Sequence, residues 1–388
     1  MKRVAFFTGI RSEYDLLYPV IKAVADTGKM VPEIIVTGAH LKKRFGYTVA
    51  EIEKDGFPIV ARIDSLPDDD SLSGRVMGAA TQISGLSKIL EERQPDFFIM
   101  LGDREESITG GMTAAYMKTP VVHLGGGDHA DDGNIDNNIR HAVTKLSHLH
   151  LTTTPNSAQR VLDLCEEPWR VTSIGSTGVD RLMQTVHLEK SEVMRRLGLE
   201  WGGNPYVLVI QHPTIHDVGS AGGLMKDTLE AIRENGVRAA IIYPNSDPGT
   251  FDVIQEIEEF TGSYPKAAAF KNLPRDTFVN LMRHADAMVG NSSAGVIEAP
   301  TFGLPVVNVG IRQRGRERGE NVQFVDNNQS DIKIALRKAL SDKKYRSFVR
   351  GASSPYGKGD AGERAAEILL SAPDRETLLF KRQMFRDA

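Results

Sequence analysis

Short hydrophobic runs alternate with longer amphipathic stretches along almost the whole chain. Most runs are continuously apolar, which is typical of strands that are covered on both faces of a parallel sheet. Amphipathic stretches of helical length, such as residues 16–26, 78–93 and 227–235, lie between the runs. Repeated strand–helix–strand units predict parallel sheets with right-handed crossovers. The predicted strands are residues 4–10, 34–38, 97–101, 121–124, 150–154, 171–175, 206–210, 239–243, 267–270, 287–290, 306–309 and 322–325.

The strands fall into two sets, which predicts two Rossmann-like, doubly wound α/β domains. The length of 388 residues fits two domains at about 150 residues or more for each. Between the sets lies a polar, mostly helical passage that ends in the glycines and proline of residues 202–205. We therefore expect an N-terminal domain at residues 1–177, a C-terminal domain at 178–361, and a charged helical tail at 362–388 that packs on one of them.

Composition narrows the class of protein. Lys and Arg number 47 against 51 Asp and Glu, a formal charge of −4, so no basic excess points to nucleic acid or anionic lipid. The single cysteine, Cys165, excludes an intrachain disulfide framework and a multi-cysteine zinc site, and it fits a reducing compartment. No apolar run approaches the roughly 18 residues that span a bilayer, and the N-terminal apolar stretch is interpreted as a buried strand. We therefore expect a cytoplasmic protein without nucleic-acid or membrane partners.

Polar residues at the strand ends are the candidate site, because open parallel sheets bind ligands beyond the carboxyl ends of their strands. With two such sheets facing each other, the expected place is the cleft between them. After the first strand, Arg11 would either bind a phosphate or pair with Glu13 on the surface. After residues 97–101, Asp103 would either cap the next helix or serve as a carboxylate in proton transfer.

The segment from residue 123 to 150 is the densest polar constellation in the chain. It opens with a run of three glycines, residues 125–127, that allows close backbone approach to a ligand. Four aspartates then crowd into nine positions: Asp128, Asp131, Asp132 and Asp136. Such clusters also serve plain turn chemistry, and their spacing does not match an EF-hand loop, so no metal is expected. A helix predicted from Ile139 would place three residues on one face: His141, Lys145 and His148.

In the second set of strands, Ser292 and Ser293 follow residues 287–290 and open a predicted helix. Free backbone N–H groups, the positive end of the helix dipole and two hydroxyls would suit a pyrophosphate. Either serine would alternatively do no more than cap the helix. Glu298, about one turn further along, would accept hydrogen bonds from sugar hydroxyls.

Three further residues of the second half follow predicted strands. His212 comes after residues 206–210, and Asn245 comes after residues 239–243. Arg312 belongs to residues 311–320, a loop with four arginines that is either a solvated face or part of a phosphate site. A phosphate-binding second domain and a carboxylate-rich first domain together suit a nucleotide-activated sugar, with acid–base chemistry on the sugar.

Five motifs resemble those of the UDP-N-acetylglucosamine 2-epimerase family and are most similar to its hydrolysing branch, which serves sialic-acid-type biosynthesis. In chain order they are GDR at residues 102–104, GNIDNNIRHAVTKLSHLH at 133–150, QHP at 211–213, GNSSAGVIE at 290–298 and GIRQRGRERGENV at 310–322. The resemblance covers nearly the whole chain. It implies the two-Rossmann-domain arrangement of GT-B glycosyltransferases, with the C-terminal helix crossing back to the first domain.

The resemblance also implies a reaction that uses no metal or other cofactor. A base removes the proton at C2 of UDP-N-acetylglucosamine while UDP leaves C1, which gives a 2-acetamidoglucal. Water then adds with inverted configuration at C2 and releases free N-acetylmannosamine, whereas non-hydrolysing relatives return the UDP. Relatives commonly form dimers or tetramers, so a homodimer or homotetramer is expected.

Residue roles follow from the same resemblance. Asp103 and Asp136 match the catalytic carboxylates, and His212 matches the active-site histidine near the leaving phosphate. The substrate- and nucleotide-binding positions are Arg11, Arg104, Asn245, Ser292, Ser293, Glu298 and Arg312.

The glycine-rich loop departs from the family pattern. Gly125 stands where some relatives have an acid, and Asp128 stands where a glutamate is usual. The loop from residue 128 to 136 is also slightly longer. We therefore hypothesise that Asp128 or Asp131 is the base at C2, and the longer loop leaves open a UDP-2,4-diacetamido-2,4,6-trideoxyhexose, used in legionaminic-type pathways, as substrate.

Two alternatives of other kinds remain at the level of sequence. One is a non-hydrolysing epimerase or a glycosyltransferase on the same fold. The motif at 133–150 and the arginine loop disfavour the non-hydrolysing epimerase, whereas a glycosyltransferase would also need an acceptor site. The other is a catalytically inactive binder of nucleotide sugars. Retention of Asp103, Asp136 and His212 argues against the inactive binder.

Overall fold

The computed structural model describes residues 1–45, 47–67, 72–129, 135–213, 219–244, 249–271 and 273–384. The chain divides into two compact units. The first comprises Met1–Arg181 and Tyr356–Ala388, and the second comprises Leu182–Pro355. These divisions lie a few residues from the expected ends at 177 and 361.

The first unit contains a seven-stranded sheet in which every pairing is parallel. Its strands are β1 (Lys2–Thr8), β2 (Met30–Thr37), β3 (Ile59–Ile63), β4 (Phe97–Leu101), β5 (Val121–Leu124), β6 (Leu149–Thr152) and β7 (Val171–Ser173), in the order β3-β2-β1-β4-β5-β6-β7. The strand order therefore reverses between β1 and β4. The sequence pattern missed β3, because this edge strand is only partly buried and lacks a continuous apolar run.

The second unit contains a six-stranded parallel sheet. Its strands are β8 (Tyr206–Ile210), β9 (Arg238–Ile242), β10 (Ala267–Phe270), β11 (Ala287–Gly290), β12 (Val306–Val309) and β13 (Val322–Val325), in the order β10-β9-β8-β11-β12-β13. Here the order reverses between β8 and β11. Two parallel sheets within an α/β chain confirm the predicted fold class.

Helices connect the strands in both units. In chain order they are α1 (Arg11–Asp26), α2 (Val49–Asp55), α3 (Leu72–Arg93), α4 (Glu105–Tyr116), α5 (Asp136–Leu146), α6 (Pro155–Asp163), α7 (Thr177–Met183), α8 (Lys190–Arg196), α9 (Ala221–Glu234), α10 (Thr250–Ser263), α11 (Arg275–His284), α12 (Ser293–Ile297), α13 (Gln329–Ser341), α14 (Lys343–Gly351), α15 (Ala361–Ser371) and α16 (Arg375–Leu379).

Both faces of each sheet are covered, which explains the continuous apolar runs. In β1, Phe6 joins a core cluster that includes Leu17 of α1, whereas its neighbour Phe7 joins a cluster that includes Leu86 of α3. Successive side chains of a strand point to opposite faces, so both of these clusters form at once. Within the described residues, no helix is long and apolar enough to cross a membrane.

The C-terminal segment belongs to the first unit because polar contacts attach it there. The Asp180 carboxylate accepts hydrogen bonds from the backbone N–H groups of Ala361 and Gly362 at the start of α15, at 3.0 and 2.6 Å. The buried guanidinium of Arg170 donates to the carbonyl oxygens of Leu378 and Phe380, at 2.8 and 2.9 Å. These contacts attach the segment after residue 355 to the segment before residue 182, and both segments belong to the first unit.

Candidate functional site

Each unit carries its candidate residues at the carboxyl ends of its strands. The reversals of strand order, between β1 and β4 and between β8 and β11, are the topological switch points. Loops that leave neighbouring strands on opposite faces of a sheet open a crevice at such a point. These are the places where each sheet is expected to bind a ligand.

Arg140 joins the acids of the first unit. It lies one turn into α5, and its guanidinium forms an ion pair with the carboxylate of Asp103, which follows β4. The same guanidinium donates to the Asp128 carbonyl oxygen at 2.7 Å and to Asn137 Oδ1 at 2.8 Å. Only 9% of the Arg140 side chain is exposed, and several acceptors compensate for its burial. Arg140 therefore ties the loop after β4 to the loop after β5.

This ion pair decides between the two interpretations of Asp103. Helix α4 begins at Glu105 with Arg104 as its N-cap residue and, among the described residues, no side chain caps it. The Asp103 carboxylate instead contacts Arg140. The capping interpretation of Asp103 is therefore wrong.

Two hydroxyl groups orient the Asp128 carboxylate. Ser157 Oγ donates to Asp128 Oδ1 at 2.7 Å, and Thr153 Oγ1 donates to the same oxygen. A Cβ atom at Gly127 would lie 2.0 Å from the carbonyl oxygen of Ser157, so the loop approaches α6 too closely for any side chain at this position. Gly125 has a φ angle of +81°, where a glutamate or aspartate would be strained. The fold therefore favours an acid at position 128 rather than at position 125.

The structure says less about the remaining predicted aspartates. Asp136 is the first residue of α5, one turn before Arg140. Asp131 lies outside the described residues. Sequence reasoning missed Arg140, and its position four residues after Asp136 is the signal that could have found it, because residues so spaced share a helix face.

The prediction that His141, Lys145 and His148 share one helix face is wrong. Helix α5 ends at Leu146, and His148 lies beyond it, with its Nδ1 accepting a hydrogen bond from the backbone N–H of Val121 at 3.0 Å. Lys145 Nζ donates to a carboxylate oxygen of Glu166 at 2.7 Å. Both residues therefore hold the first unit together away from the aspartates.

Arg104 contacts two buried acids at the switch point, a group that we call the Arg104 clamp. Its Nε lies 3.6 Å from Glu13 Oε1, in the first turn of α1, and 3.5 Å from Glu106 Oε2, in the first turn of α4. The exposed fractions of the Glu13 and Glu106 side chains are 6% and 4%, against 44% for Arg104. Sequence reasoning singled out Arg104 but not its two acids, which lie 91 residues and two residues away in the chain.

Burial and mutual repulsion change the acidity of this pair. Burial raises the pKa of Glu13 to about 8, the Glu106 carboxylate raises it further, and Arg104 opposes both effects. Burial likewise raises the pKa of Glu106, again against the influence of Arg104. At neutral pH these causes favour a proton on the pair.

One interpretation of the sequence paired Arg11 with Glu13, but Arg11 pairs with Glu51 instead. Its Nε lies 3.1 Å from Glu51 Oε2, and both side chains are exposed. The Glu13 carboxylate turns inward instead, and its Oε2 accepts hydrogen bonds from the backbone N–H groups of Gly9 and Ile10, at 2.8 and 3.3 Å.

In the second unit, Asn291 joins the ends of β8 and β11. Its Oδ1 accepts from the backbone N–H of His212 at 2.8 Å, and its Nδ2 donates to the His212 carbonyl oxygen at 2.8 Å. The preceding Gly290 has a φ angle of +127°, and a Cβ there would lie 2.1 Å from the carbonyl oxygen of Ile210. Sequence reasoning missed Asn291, although it lies within the GNSS run.

The predicted phosphate residues gather beside Asn291. Ser292 is the N-cap of α12, and its Oγ accepts from the backbone N–H of Ala294 at 3.4 Å, so this serine does cap the helix, and its hydroxyl can still donate to a ligand. Ser293 is the first residue of α12, and Glu298 follows its last turn. Arg312 Nη1 donates to the Asn291 carbonyl oxygen at 3.2 Å.

The rest of the arginine loop is only partly directed to this point. Gln313 Nε2, which sequence reasoning did not single out, also donates to the Asn291 carbonyl oxygen, at 2.9 Å. Arg314 instead pairs with Asp326 at 3.3 Å, and the Arg318 guanidinium lies 4.5 Å from the centre of the Phe324 ring. Asn245 lies outside the described residues. In the part of the chain that the structure describes, no three His, Cys, Asp or Glu side chains are grouped to hold a metal ion.

Comparison with known proteins adds the following. Residues 22–370 match the family model described as UDP-N-acetylglucosamine 2-epimerase. A Legionella pneumophila protein named UDP-N,N'-diacetylbacillosamine 2-epimerase (hydrolyzing) is 32% identical over 383 residues, covering 98% of this chain and 99% of its own. A Neisseria meningitidis UDP-N-acetylglucosamine 2-epimerase is 29% identical over 374 residues, covering 95% of each chain. A crystal structure of the UDP-GlcNAc 2-epimerase from Neisseria meningitidis bound to UDP-GlcNAc matches the fold with a TM-score of 0.77 at 21% identity, covering 95% of this chain and 100% of that one.

Proposed function

The chain belongs to the UDP-N-acetylglucosamine 2-epimerase family, and from this premise we propose that it is a hydrolysing 2-epimerase of a UDP-linked 2-acetamido sugar. The observation that carries the proposal is the group of Asp103, Asp128 and Arg140 at the ends of β4 and β5. It provides oriented carboxylates at the edge where parallel sheets bind ligands. The Legionella relative, whose name specifies hydrolysis, supports the hydrolytic outcome.

The proposed reaction has two stages. In the first, a carboxylate removes the proton from C2, the C1–O bond to UDP breaks, and a C1=C2 double bond forms to give a 2-acetamidoglucal. In the second, water adds across the double bond, with its oxygen at C1 and a proton at C2 on the opposite face. The products are UDP and the free 2-epimeric sugar. Positioned acid–base groups contribute about 10²–10⁴-fold to such proton transfers.

We assign removal of the C2 proton to Asp128. Its carboxylate is held by Ser157 and Thr153, which fixes the direction from which it meets a substrate. We assign Asp103 and Asp136 to the hydration stage, in which a proton reaches C2 from the other face. Arg140 pairs with Asp103, whereas Ser157 and Thr153 hold Asp128. Different groups therefore orient the carboxylates that are assigned to the two stages.

The nucleotide side of the proposal rests on the second unit. Negative charge develops on the diphosphate as the C1–O bond breaks, so donors at that point stabilise the transition state. The N-terminus of α12 with Ser292, Ser293 and Arg312 supplies such donors. We assign His212 to the leaving phosphate and Glu298 to the ribose. Arg11, Arg104 and Asn245 complete the proposed nucleotide contacts.

Two substrates are proposed within this reaction. UDP-N-acetylglucosamine is the leading candidate, in keeping with the family and with the Neisseria meningitidis relative. UDP-N,N'-diacetylbacillosamine is the second, because the Legionella relative that carries its name is 32% identical over 98% of this chain. The slightly longer sequence between Asp128 and Asp136 also motivates a modified sugar as a candidate substrate.

The test is to incubate the purified protein with each nucleotide sugar in turn and to follow the products by NMR. Release of UDP together with a free sugar of the manno configuration supports the hydrolysing proposal, and the faster substrate identifies the natural class. A product that is epimerised but still linked to UDP would show a non-hydrolysing enzyme. Binding without any turnover of either substrate would show a catalytically inactive binder.

A further inference from the structure

The Arg104 clamp, made of Glu13, Arg104 and Glu106, is not explained by the proposed reaction. Two nearly buried carboxylates face one half-exposed guanidinium, at distances from its Nε of 3.6 and 3.5 Å. Burying two carboxylates beside each other is costly unless charge is compensated. One guanidinium and two backbone N–H groups offset only part of this charge, and burial favours a proton on the pair.

Two oxygen atoms show where that proton belongs. Glu13 Oε1 and Glu106 Oε2 are buried and have no hydrogen-bond partner among the described residues, and they are the same atoms that lie nearest to Arg104 Nε. At 3.5 and 3.6 Å these contacts are ion pairs too long to be hydrogen bonds. A proton on one carboxyl group would supply the missing donor.

The clamp is rigid and lies at the ligand-binding edge of the first unit. Glu13 Oε2 holds the turn after β1 through the backbone N–H groups of Gly9 and Ile10. The Glu106 carboxylate packs on Gly9, where a Cβ would lie only 1.9 Å from Glu106 Oε1. Both acids are therefore fixed, and Arg104 is presented between β1 and β4, next in sequence to Asp103.

The charge of the clamp decides what Arg104 can bind. With both carboxylates ionised the three side chains carry a net charge of −1 and repel an anion. With one proton on the pair the net charge is zero, and the guanidinium, whose Nε is only one of its N–H-bearing nitrogens, can turn toward a phosphate. Among the described residues, three further ionisable groups lie near the clamp. Glu105 pairs with Arg75 at 3.3 Å and its charge raises the pKa of Glu106. Asp103 pairs with Arg140, and His40 is held between Thr8 and Thr48.

Resting on the proposed function, we propose that Glu13 and Glu106 are positioning residues that hold Arg104 and share one proton, so that the guanidinium can bind the diphosphate of the nucleotide sugar. An arriving diphosphate adds negative charge beside the pair and strengthens its hold on that proton. Binding of the nucleotide is therefore linked to uptake of a proton at alkaline pH.

The experiment measures UDP binding to the full chain by titration calorimetry between about pH 7 and about pH 9, in buffers of different ionisation enthalpy. We expect the wild-type Kd to weaken about tenfold across this range, with uptake of a fraction of a proton on binding at the upper end. Glu106→Gln mimics the protonated acid and keeps an oxygen for Arg104. We expect its Kd to match the wild type at the lower pH and to change by less than about threefold across the range.

Further variants separate the structural contact with Arg104 from the protonation of the pair. Glu106→Ala removes the contact and should weaken UDP binding about tenfold relative to the wild type at about pH 7, with little further change up to about pH 9, because one of the two repelling carboxylates is gone. In an Arg104→Gln background, Glu106→Ala should have no further effect, because the acid acts through the arginine. Glu53→Gln is the matched control, since it makes the same change at an exposed carboxylate that pairs with Arg62 at 2.6 Å, and it should behave as the wild type. Glu13→Gln repeats the test from the other acid, in case Glu106 variants do not fold.

The outcomes distinguish this inference from the proposed function. If the wild type does not bind UDP at all, the proposed function fails. If UDP binds but its Kd is independent of pH, or changes with pH equally in the wild type, Glu106→Gln and Glu13→Gln, the shared proton is excluded. If Glu106→Ala weakens binding as much without Arg104 as with it, the acid does not act through the arginine.

Discussion

At the end of β4 in the first unit, charged side chains hold one another in place. Arg140 forms an ion pair with Asp103, and Arg104 lies between the buried carboxylates of Glu13 and Glu106. At the end of β8 in the second unit, neutral groups do the same work: the Asn291 side chain holds both backbone groups of His212, and a glycine allows two strand ends to meet. The same topological feature is thus built in one unit from groups that exchange protons and in the other from groups that do not.

The difference shows which chemistry each switch point can support. Carboxylates and their arginine partners can take up, deliver and share protons, provided that their orientation is fixed. Backbone N–H groups, an amide and hydroxyls form a preorganised set of donors that keeps its charge over a wide pH range. We therefore expect changes in the first unit to affect turnover and pH dependence, and changes in the second unit to affect nucleotide affinity and local stability.

The largest effect is expected for Asp128→Asn. The substitution keeps an oxygen that can accept from Ser157 and Thr153 but removes the charge that takes the C2 proton. We expect kcat to fall about 100-fold or more while the Kd for UDP stays within about threefold. Steady-state kinetics and titration calorimetry measure the two quantities.

The control for that variant is Asp26→Asn, a surface acid that pairs with Lys22 at 2.5 Å, which should leave both quantities unchanged. An Asp128→Asn protein with wild-type kcat would remove the distinction between the two switch points.

The next largest effect concerns the backbone of the second unit. Gly290→Ala places a Cβ 2.1 Å from the carbonyl oxygen of Ile210 at a φ angle of +127°. We expect the free energy of unfolding to fall by about 2–3 kcal/mol, since both the overlap and the backbone angle are unfavourable. Urea titration measures the change.

Gly203→Ala is its control, because no other atom lies within 4 Å of the added Cβ and its φ angle is not positive. It should be neutral or slightly stabilising. Equal losses in the two variants would show that the close contact of β8 and β11 contributes nothing.

A smaller effect is expected for Asn291→Ala. It removes both hydrogen bonds to His212 and the side chain that joins the two strand ends. We expect the Kd for UDP to rise about tenfold, with kcat at saturating substrate changing less. Calorimetry gives the first quantity and steady-state kinetics the second.

Asn204→Ala serves as the reference, since Asn204 donates to the Trp201 carbonyl oxygen at 2.7 Å in a different part of the second unit. A fall in kcat with no change in Kd for Asn291→Ala would assign proton chemistry to the second unit and contradict the comparison.

The smallest effect is a pH dependence of stability that originates in the first unit. The pKa of Glu13 is raised to about 8 and that of Glu106 is also raised, so the folded state binds protons more tightly than the unfolded chain. This contribution is complete at pH values below the unfolded pKa and is lost as the pH rises through about 8. We expect the wild type to lose about 1 kcal/mol of stability between about pH 6.5 and about pH 9, and Glu106→Gln to lose less, because the variant keeps only the effect of burial on Glu13.

Urea unfolding of both proteins at the two pH values measures this difference. Glu53→Gln, which changes an exposed carboxylate that pairs with Arg62, should show the slope of the wild type. The same slope in Glu106→Gln would mean that the buried pair does not carry the proton.

The sheets could be predicted from the sequence because their strands are buried on both faces and therefore read as continuous apolar runs. The exception, β3, lies at an edge and is only partly buried, so no such run marks it. Because the strands are parallel, the loops that follow them lie at the same edge of the sheet. Asp103, Asp128 and Ser292 could be singled out because each lies in such a loop. His148 shows the limit: helical periodicity cannot tell where a helix ends, and α5 stops at Leu146.

The partners of the site residues could not be predicted in the same way. Glu13 looked like a surface residue because its pairing with Arg104 spans 91 positions of sequence. Arg140 and Asn291 lie inside recognisable motifs, yet only packing shows that Arg140 is nearly buried and that Asn291 binds both the backbone N–H and the carbonyl oxygen of His212. Such contacts depend on tertiary packing, which local propensity and periodicity of the sequence do not report.

The most direct test of the account is whether solvent hydrogen enters the sugar at C2. The wild-type protein is incubated in D2O with UDP-N-acetylglucosamine or UDP-N,N'-diacetylbacillosamine, and the released sugar is examined by proton NMR and mass spectrometry. We predict a free sugar with inverted configuration and one deuterium at C2, and no such product from Asp128→Asn. A released sugar that keeps its original hydrogen at C2 would contradict proton removal by the first unit.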